Sequence, residues 1–110
     1  MMNEKKLSRG TLTINYESDK YLIDDLFDIA ERNNPKRAFL FVSKILGKHI
    51  PVSPKKMRES YQALSAQLPK NIAGDALFIG MAETAVGLSA GVFHEAKNQF
   101  DRAVFLTSTR

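Results

Sequence analysis

Residues 77–91, LFIGMAETAVGLSAG, set an apolar run against a short polar break and then small residues at helical spacing. Gly80, Ala82, Ala85 and Gly87 carry little or no side chain, and Thr84 offers a hydroxyl. Where a strand runs into a helix, unpaired backbone N–H groups and the helix dipole favour an anion. Small residues at that point let a phosphate approach the backbone. The same residues also suit close packing of a helix on a sheet, and residue types alone leave both readings open. Glu83 complicates the anion reading, because a carboxylate repels phosphate unless it points outward or meets a cation. The Gly80–Gly87 spacing is wrong for a Walker loop and lacks its lysine, and no Gly-x-Gly-x-x-Gly is present.

A second anion-attracting feature is compositional. Residues 36–58 hold Lys36, Arg37, Lys44, Lys48, Lys55, Lys56 and Arg58 without one acidic residue, in a chain of net charge +4. Such a segment suits small-molecule phosphates, nucleic acid or acidic partners, or is simply a solvated basic face. His49, in the Gly47-Lys48-His49 turn, could donate to an anion. Asp24 and Asp25 follow an apolar run as metal or ribose ligands do. Leu26, Phe27 and Ile29 continue a helical stripe there, so a solvated helix face is the expected setting. His94-Glu95 lacks the second histidine of a zinc-protease motif. No nucleophile, base and orienting group can be assembled into a trio.

The elements that would position these residues follow from periodicity. Leu12, Ile14 and Tyr16 alternate with Thr11, Thr13 and Asn15 over 9–17, the pattern of a half-buried strand. Apolar positions from Leu22 to Ala30 predict a helix over about 20–32, stopped by Asn33-Asn34-Pro35. RAFLFVSKIL reads as a strand, and Ser53-Pro54 as a helix start whose stripe is Met57, Tyr61, Leu64 and Leu68. ALFIGM is a fully apolar run of the kind buried on both faces of a parallel sheet. A helix over about 85–98, with Ala85, Leu88, Val92, Phe93 and Ala96 inward, and the strand RAVFLT complete a right-handed β-α-β unit. The expectation is a single α/β domain over 1–110, with a smaller β-containing lobe at its N-terminus.

With 110 residues, 44% hydrophobic and 25% charged, the chain can bury a core. Without cysteine it has no disulfide, thiolate metal site or cysteine nucleophile. MMNEKKLSRG has no apolar segment behind it, and no run approaches the roughly 20 residues that span a bilayer. A cytoplasmic location without membrane contact is expected.

Two stretches carry more than pattern. NPKRAFLFVSKILGKHIPVSP (34–54) and FIGMAETAVGLSAGVFHEA (78–96) resemble a phosphoribosyltransferase-like family of bacterial tellurite-resistance and stress-response gene clusters, distantly similar to orotate phosphoribosyltransferase. The second block, Gly-x-Ala-Glu-Thr-Ala-x-Gly-Leu, is close to that family's signature. The resemblance implies part of a type I phosphoribosyltransferase fold: a parallel sheet flanked by helices, with a small N-terminal β-containing hood. It implies that Ala82, Glu83, Thr84, Ala85 and Gly87 receive pyrophosphate, the leaving group of phosphoribosyl pyrophosphate. Lys44, Lys48 and His49 would be basic contacts near the hood, and Thr109 and Arg110 would open the flexible catalytic loop. The implied reaction is a glycosyl transfer of phosphoribose to a base. Magnesium would accompany phosphoribosyl pyrophosphate in the complete enzyme, with no metal held by this chain itself.

The resemblance also implies a strand with two acidic residues and a Thr-Thr-Gly-type loop further along, holding the ribose 5-phosphate. That element is not in the sequence, so the chain is expected to be the N-terminal part of such an enzyme, without turnover alone. A competing reading is a non-catalytic basic module for nucleic acid or an acidic protein. Phe39 and Phe41 lie in a run that reads as buried, which speaks against a nucleic-acid stacking surface. A third reading pairs exposed sheet edges with another copy in a homo-oligomer.

Overall fold

A computed structural model describes residues 1–109. The chain divides into two compact units, Met1–Val52 and Ser53 onward.

The first unit is built from two antiparallel hairpins. Strands β1 (Met2–Leu7) and β2 (Gly10–Asn15) pair with Lys5 opposite Leu12 and Leu7 opposite Gly10. Ser8 and Arg9 make the turn, and Gly10 takes a positive φ of 150° there. Leu12, Ile14 and Tyr16 are half-buried while Thr11, Thr13 and Asn15 are exposed, as the alternation requires. The open end is tied by the N-terminal amine donating to Tyr16 O at 2.9 Å.

The helix expected over about 20–32 does not form. Only Ile23–Leu26 is helical (α1), and the chain turns directly into β3 (Phe27–Glu31). Phe27, Asp28 and Ile29 satisfy a period of two as well as a helical stripe, and a partner strand settles the matter. β4 (Phe39–Ser43) pairs antiparallel with β3, setting Ile29 opposite Phe41 and Glu31 opposite Phe39. Edge-to-face contacts join Phe41 to Phe27 (centroids 5.1 Å apart) and to Phe39 (5.8 Å). Cross-strand pairing therefore outweighs local helix preference. Phe41, expected to be buried, is 50% exposed, because nothing among the described residues of the unit covers that face of the hairpin.

Asp24 lies in this short helix with its side chain exposed, the setting expected of it, and is engaged from two sides. Lys5 Nζ donates to its Oδ1 at 2.8 Å, and Lys44 Nζ donates to its carbonyl at 2.6 Å. The hydrogen bond from Lys5, followed by its charge, holds the Asp24 carboxyl below the usual range, and the reciprocal bond raises Lys5. A depressed carboxyl contributes stability above its ordinary pKa and loses it as pH falls through the folded value. The pair is at the surface, so the contribution is small. Carbon-detected NMR should show Asp24 titrating below an unperturbed aspartate, and Lys5→Met should move its midpoint back up.

The second unit starts at α2 (Pro54–Ser65). Ser53 Oγ accepts from Lys56 N–H at 3.2 Å and proline follows at the first helical position, as the sequence leads one to expect. β5 (Asp75–Gly80) and β6 (Arg102–Thr107) are parallel, joined through α3 (Val86–Ala96) and the 3-10 turn Lys97–Gln99. The core is an aromatic cluster under α3. Phe78 meets Phe93 (5.2 Å) and Phe100 (5.7 Å), and Phe93 stacks on Phe105 (5.4 Å). Helix α3 also packs against α2. A Cβ on Gly91 would fall 2.5 Å from the Tyr61 ring, so this glycine sets the spacing of the two helices.

The expectation that ALFIGM is buried on both faces is corrected. Leu77 and Ile79 of β5, with Val104 and Leu106 of β6, are 45–59% exposed on the face away from α3. Exposure alternates along β5 and along β6 as far as Leu106, so the helices cover one face alone. No helix of the described residues is long and apolar enough to cross a membrane.

Candidate functional site

The carboxyl end of β5 is where the candidate site is assembled. β5 ends at Gly80 and α3 begins at Val86, leaving Met81–Ala85 as the connection. Gly80 lies opposite Thr107 in the parallel register, which brings Ser108 beside the start of that connection. Ser108 N–H donates to Gly80 O, and Ser108 Oγ accepts from Ala82 N–H, both at 2.9 Å. At the far end, Ala85 N–H donates to Met81 O and Val86 N–H to Glu83 O, each at 3.3 Å. Ser89 N–H donates to Ala85 O at 2.9 Å, and Ser89 Oγ also bonds that carbonyl while lying 3.2 Å from Val86 O. The connection is thus fastened by a serine at each end. Its Ala82–Glu83 peptide is cis.

Glu83, Thr84 and Gly87 are exposed, and Ala82 and Ala85 half-buried. Ala85 is the N-cap of α3 and supplies no side-chain cap, so the helix start is capped by backbone alone. Small residues here divide into two kinds. A Cβ on Gly80 would collide with Ser89 Oγ and come within 3.0 Å of Ser89 Cβ and 3.2 Å of Phe105 Cε2. Gly80 is therefore a packing glycine, as Gly91 is. A Cβ on Gly87 would meet no atom within 4 Å. Of the two readings of this stretch, close packing accounts for Gly80 and Gly91 but not for Gly87.

Of the basic segment, Lys36, Arg37, Lys44, Lys48 and His49 belong to the first unit, and Lys55, Lys56 and Arg58 to α2 of the second. Lys44 is half-buried, with its ammonium on Asp24 O and its backbone N–H on Leu26 O at 2.8 Å. Lys48 and His49 are exposed in the chain that follows β4. Lys44, Lys48 and His49 on one side, and residues 82–87 on the other, are thus carried by separate units. Thr109 is exposed just beyond β6, and Arg110 lies outside the described residues. Among the described residues, no group of three or more His, Asp or Glu side chains could hold a metal ion.

Sequence reasoning passed over Ser108 and Ser89. The signal for Ser108 was its position one residue past the end of a strand parallel to β5. For Ser89 it was the small-residue run Gly87-Leu88-Ser89-Ala90-Gly91 facing a strand that ends in glycine.

A family model described as phosphoribosyl transferase matches residues 26–110. The match takes in the β3–β4 hairpin, the basic segment and the whole β5–α3–β6 unit. No curated protein and no solved structure matches the chain.

Proposed function

The chain belongs to the phosphoribosyl transferase family, and from that premise we propose that Met81–Gly87 receives the pyrophosphate group of phosphoribosyl pyrophosphate. The observation that carries this reading is an exposed, serine-fastened connection at the carboxyl end of β5, with open space beside Gly87. In parallel α/β sheets ligands bind at that end of the strands, and a helix start favours anions. Ala82 and Ala85 add little bulk over the backbone, and Thr84 supplies a hydroxyl donor. Glu83 meets the cation that travels with the substrate. Magnesium enters as part of the phosphoribosyl pyrophosphate complex.

The reaction is displacement at ribose C1. A base nitrogen forms the new C–N bond as the C–O bond to pyrophosphate breaks, and the electron pair departs on the pyrophosphate oxygen. Donors placed where that charge develops lower the barrier. Thr109 begins the loop that covers the reacting groups, and Lys44 and Lys48 add positive charge in the first unit, where His49 offers a ring nitrogen for hydrogen bonding. The acceptor is a nitrogenous base, in a setting of tellurite resistance and stress response.

Thermal unfolding in the presence of pyrophosphate, magnesium phosphoribosyl pyrophosphate or a short oligonucleotide tests the reading. A ligand of the native state raises the melting temperature with concentration. Both phosphate ligands should do so. Stabilisation by the oligonucleotide alone would instead support a nucleic-acid module, a reading that the exposed ring of Phe41 keeps in play.

A further inference from the structure

The first unit holds a concave site that the phosphoribosyl transfer reading does not use. The turn of the β1–β2 hairpin meets the long loop between β3 and β4. Ser8 N–H and Ser8 Oγ both donate to Glu31 Oε1, the latter at 3.0 Å. Arg9 Nη1 donates to Asn34 O at 3.1 Å. These cross-hairpin bonds hold open a cavity of about 490 Å³, lined by both turns. Asn34 Oδ1 accepts from Lys36 N–H (2.9 Å) and Arg37 N–H (3.1 Å), which fixes the loop's shape from within.

The donor inventory describes a ligand. Arg9 and Arg32 line the cavity, and Lys36 and Arg37 follow directly on its rim-forming turn. Arg9 keeps four of its roughly five N–H donors beyond the bond to Asn34, and the carboxamides of Asn33 and Asn34 each bring an NH₂ group. Those groups suit an anion with several acceptor oxygens. Glu31 lines the same cavity, and its Oε2 is an acceptor beyond the bonds that Ser8 makes to Oε1. A carboxylate repels a bare phosphate but accepts from a hydroxyl. No aromatic ring lines the cavity, so its recognition is by polar and charged groups. Its volume is in the usual range for small-molecule sites.

We propose that this inter-hairpin cavity binds the phosphate monoester of a polyol, a sugar phosphate, with the phosphate on Arg9 and Arg32 and a hydroxyl on Glu31. The site lies wholly within Met1–Val52 and is separate from Met81–Gly87.

Amide NMR titration of the full chain with glucose 6-phosphate, and in parallel with inorganic phosphate, tests the assignment. Saturable shifts are expected at Ser8, Arg9, Asn33 and Asn34, with glucose 6-phosphate binding about tenfold tighter than inorganic phosphate, as one charge-assisted hydrogen bond allows. Arg32→Ala should weaken both ligands about tenfold. Glu31→Gln, which still accepts from Ser8, should weaken glucose 6-phosphate alone. The spectrum of each variant shows directly whether the hairpins remain folded, and Arg32→Lys serves as a second variant that keeps the charge. The proposal is overturned if glucose 6-phosphate leaves these amides unmoved or binds no tighter than inorganic phosphate. It is equally overturned if Glu31→Gln tightens the sugar phosphate, or if an oligonucleotide shifts the same residues at lower concentration. Failure here leaves the amides of residues 82–87 to report on pyrophosphate independently.

Discussion

Gly80→Ala should destabilise the second unit by about 1–3 kcal/mol, the usual effect of forcing one extra methyl into a packed site. The new Cβ would collide with Ser89 Oγ and crowd Ser89 Cβ and Phe105 Cε2, at 3.0 and 3.2 Å. Ser89 cannot simply swing away, because its hydroxyl bonds Ala85 O and lies close to Val86 O. Phe105 cannot yield freely either, since its ring stacks on Phe93 within the aromatic core. For a domain of this size the loss corresponds to a fall in melting temperature of at least about 4 °C. Thermal unfolding of the variant checks the magnitude. Coupling identifies the cause: Ser89→Ala removes the colliding hydroxyl, so the double variant should lose less stability than the two single losses added together. Strict additivity would mean that Ser89 is not what excludes a side chain at residue 80.

Gly87→Leu should have the opposite profile. Its Cβ would enter open space, and replacing glycine in the first turn of a helix removes a penalty of up to about 1 kcal/mol. The fold should therefore be retained or slightly strengthened. Binding of pyrophosphate should nevertheless fall about tenfold or more, because the side chain occupies the space through which the anion reaches the connection. Thr84→Ala should weaken binding by several-fold through loss of one hydroxyl donor, in line with about 0.5–1.5 kcal/mol per hydrogen bond. Calorimetric titration of pyrophosphate into each variant, alongside thermal unfolding, separates the two effects. Gly80 and Gly87 look alike in sequence, and these experiments set them apart as a packing residue and an access residue.

The second unit was largely legible. Ser53-Pro54 announced α2, the small and apolar stripe from Ala85 to Ala96 announced α3, and ALFIGM and RAVFLT read as parallel strands. Each element there has one dominant period and clear punctuation. The first unit was harder, for reasons that are physical. MNEKKL carries too little apolar character to read as a strand, and it is one because β2 supplies its hydrogen-bond partners. Phe27–Glu31 fits two periods, and only pairing with β4 decides between them. Exposure was misjudged for a related reason. ALFIGM implies two-sided burial and the run holding Phe41 reads as buried, yet Phe41 and the outer faces of β5 and β6 are open, since burial depends on what else packs nearby. Within the candidate site, the connection itself was visible as a break between periods. Ser108 was not, because its role follows from strand register, which no local pattern encodes.

The inter-hairpin cavity could not be read from sequence for the same reason. Ser8, Arg9, Glu31 and Asn34 become neighbours only when two hairpin turns meet, and the helix expected over 20–32 would have kept them apart.

The most direct measurement is the amide NMR spectrum of the chain titrated with pyrophosphate in the presence of magnesium. Anion capture by the β5–α3 connection predicts saturable shifts concentrated on Ala82, Glu83, Thr84, Ala85 and Gly87, extending to Ser108 through its bond to Ala82. In Gly87→Leu those shifts should need about tenfold more pyrophosphate or more, while the spectrum without ligand stays unchanged away from residue 87. Saturable shifts confined to residues of Met1–Val52, with residues 82–87 unmoved, would contradict the assignment of the pyrophosphate site.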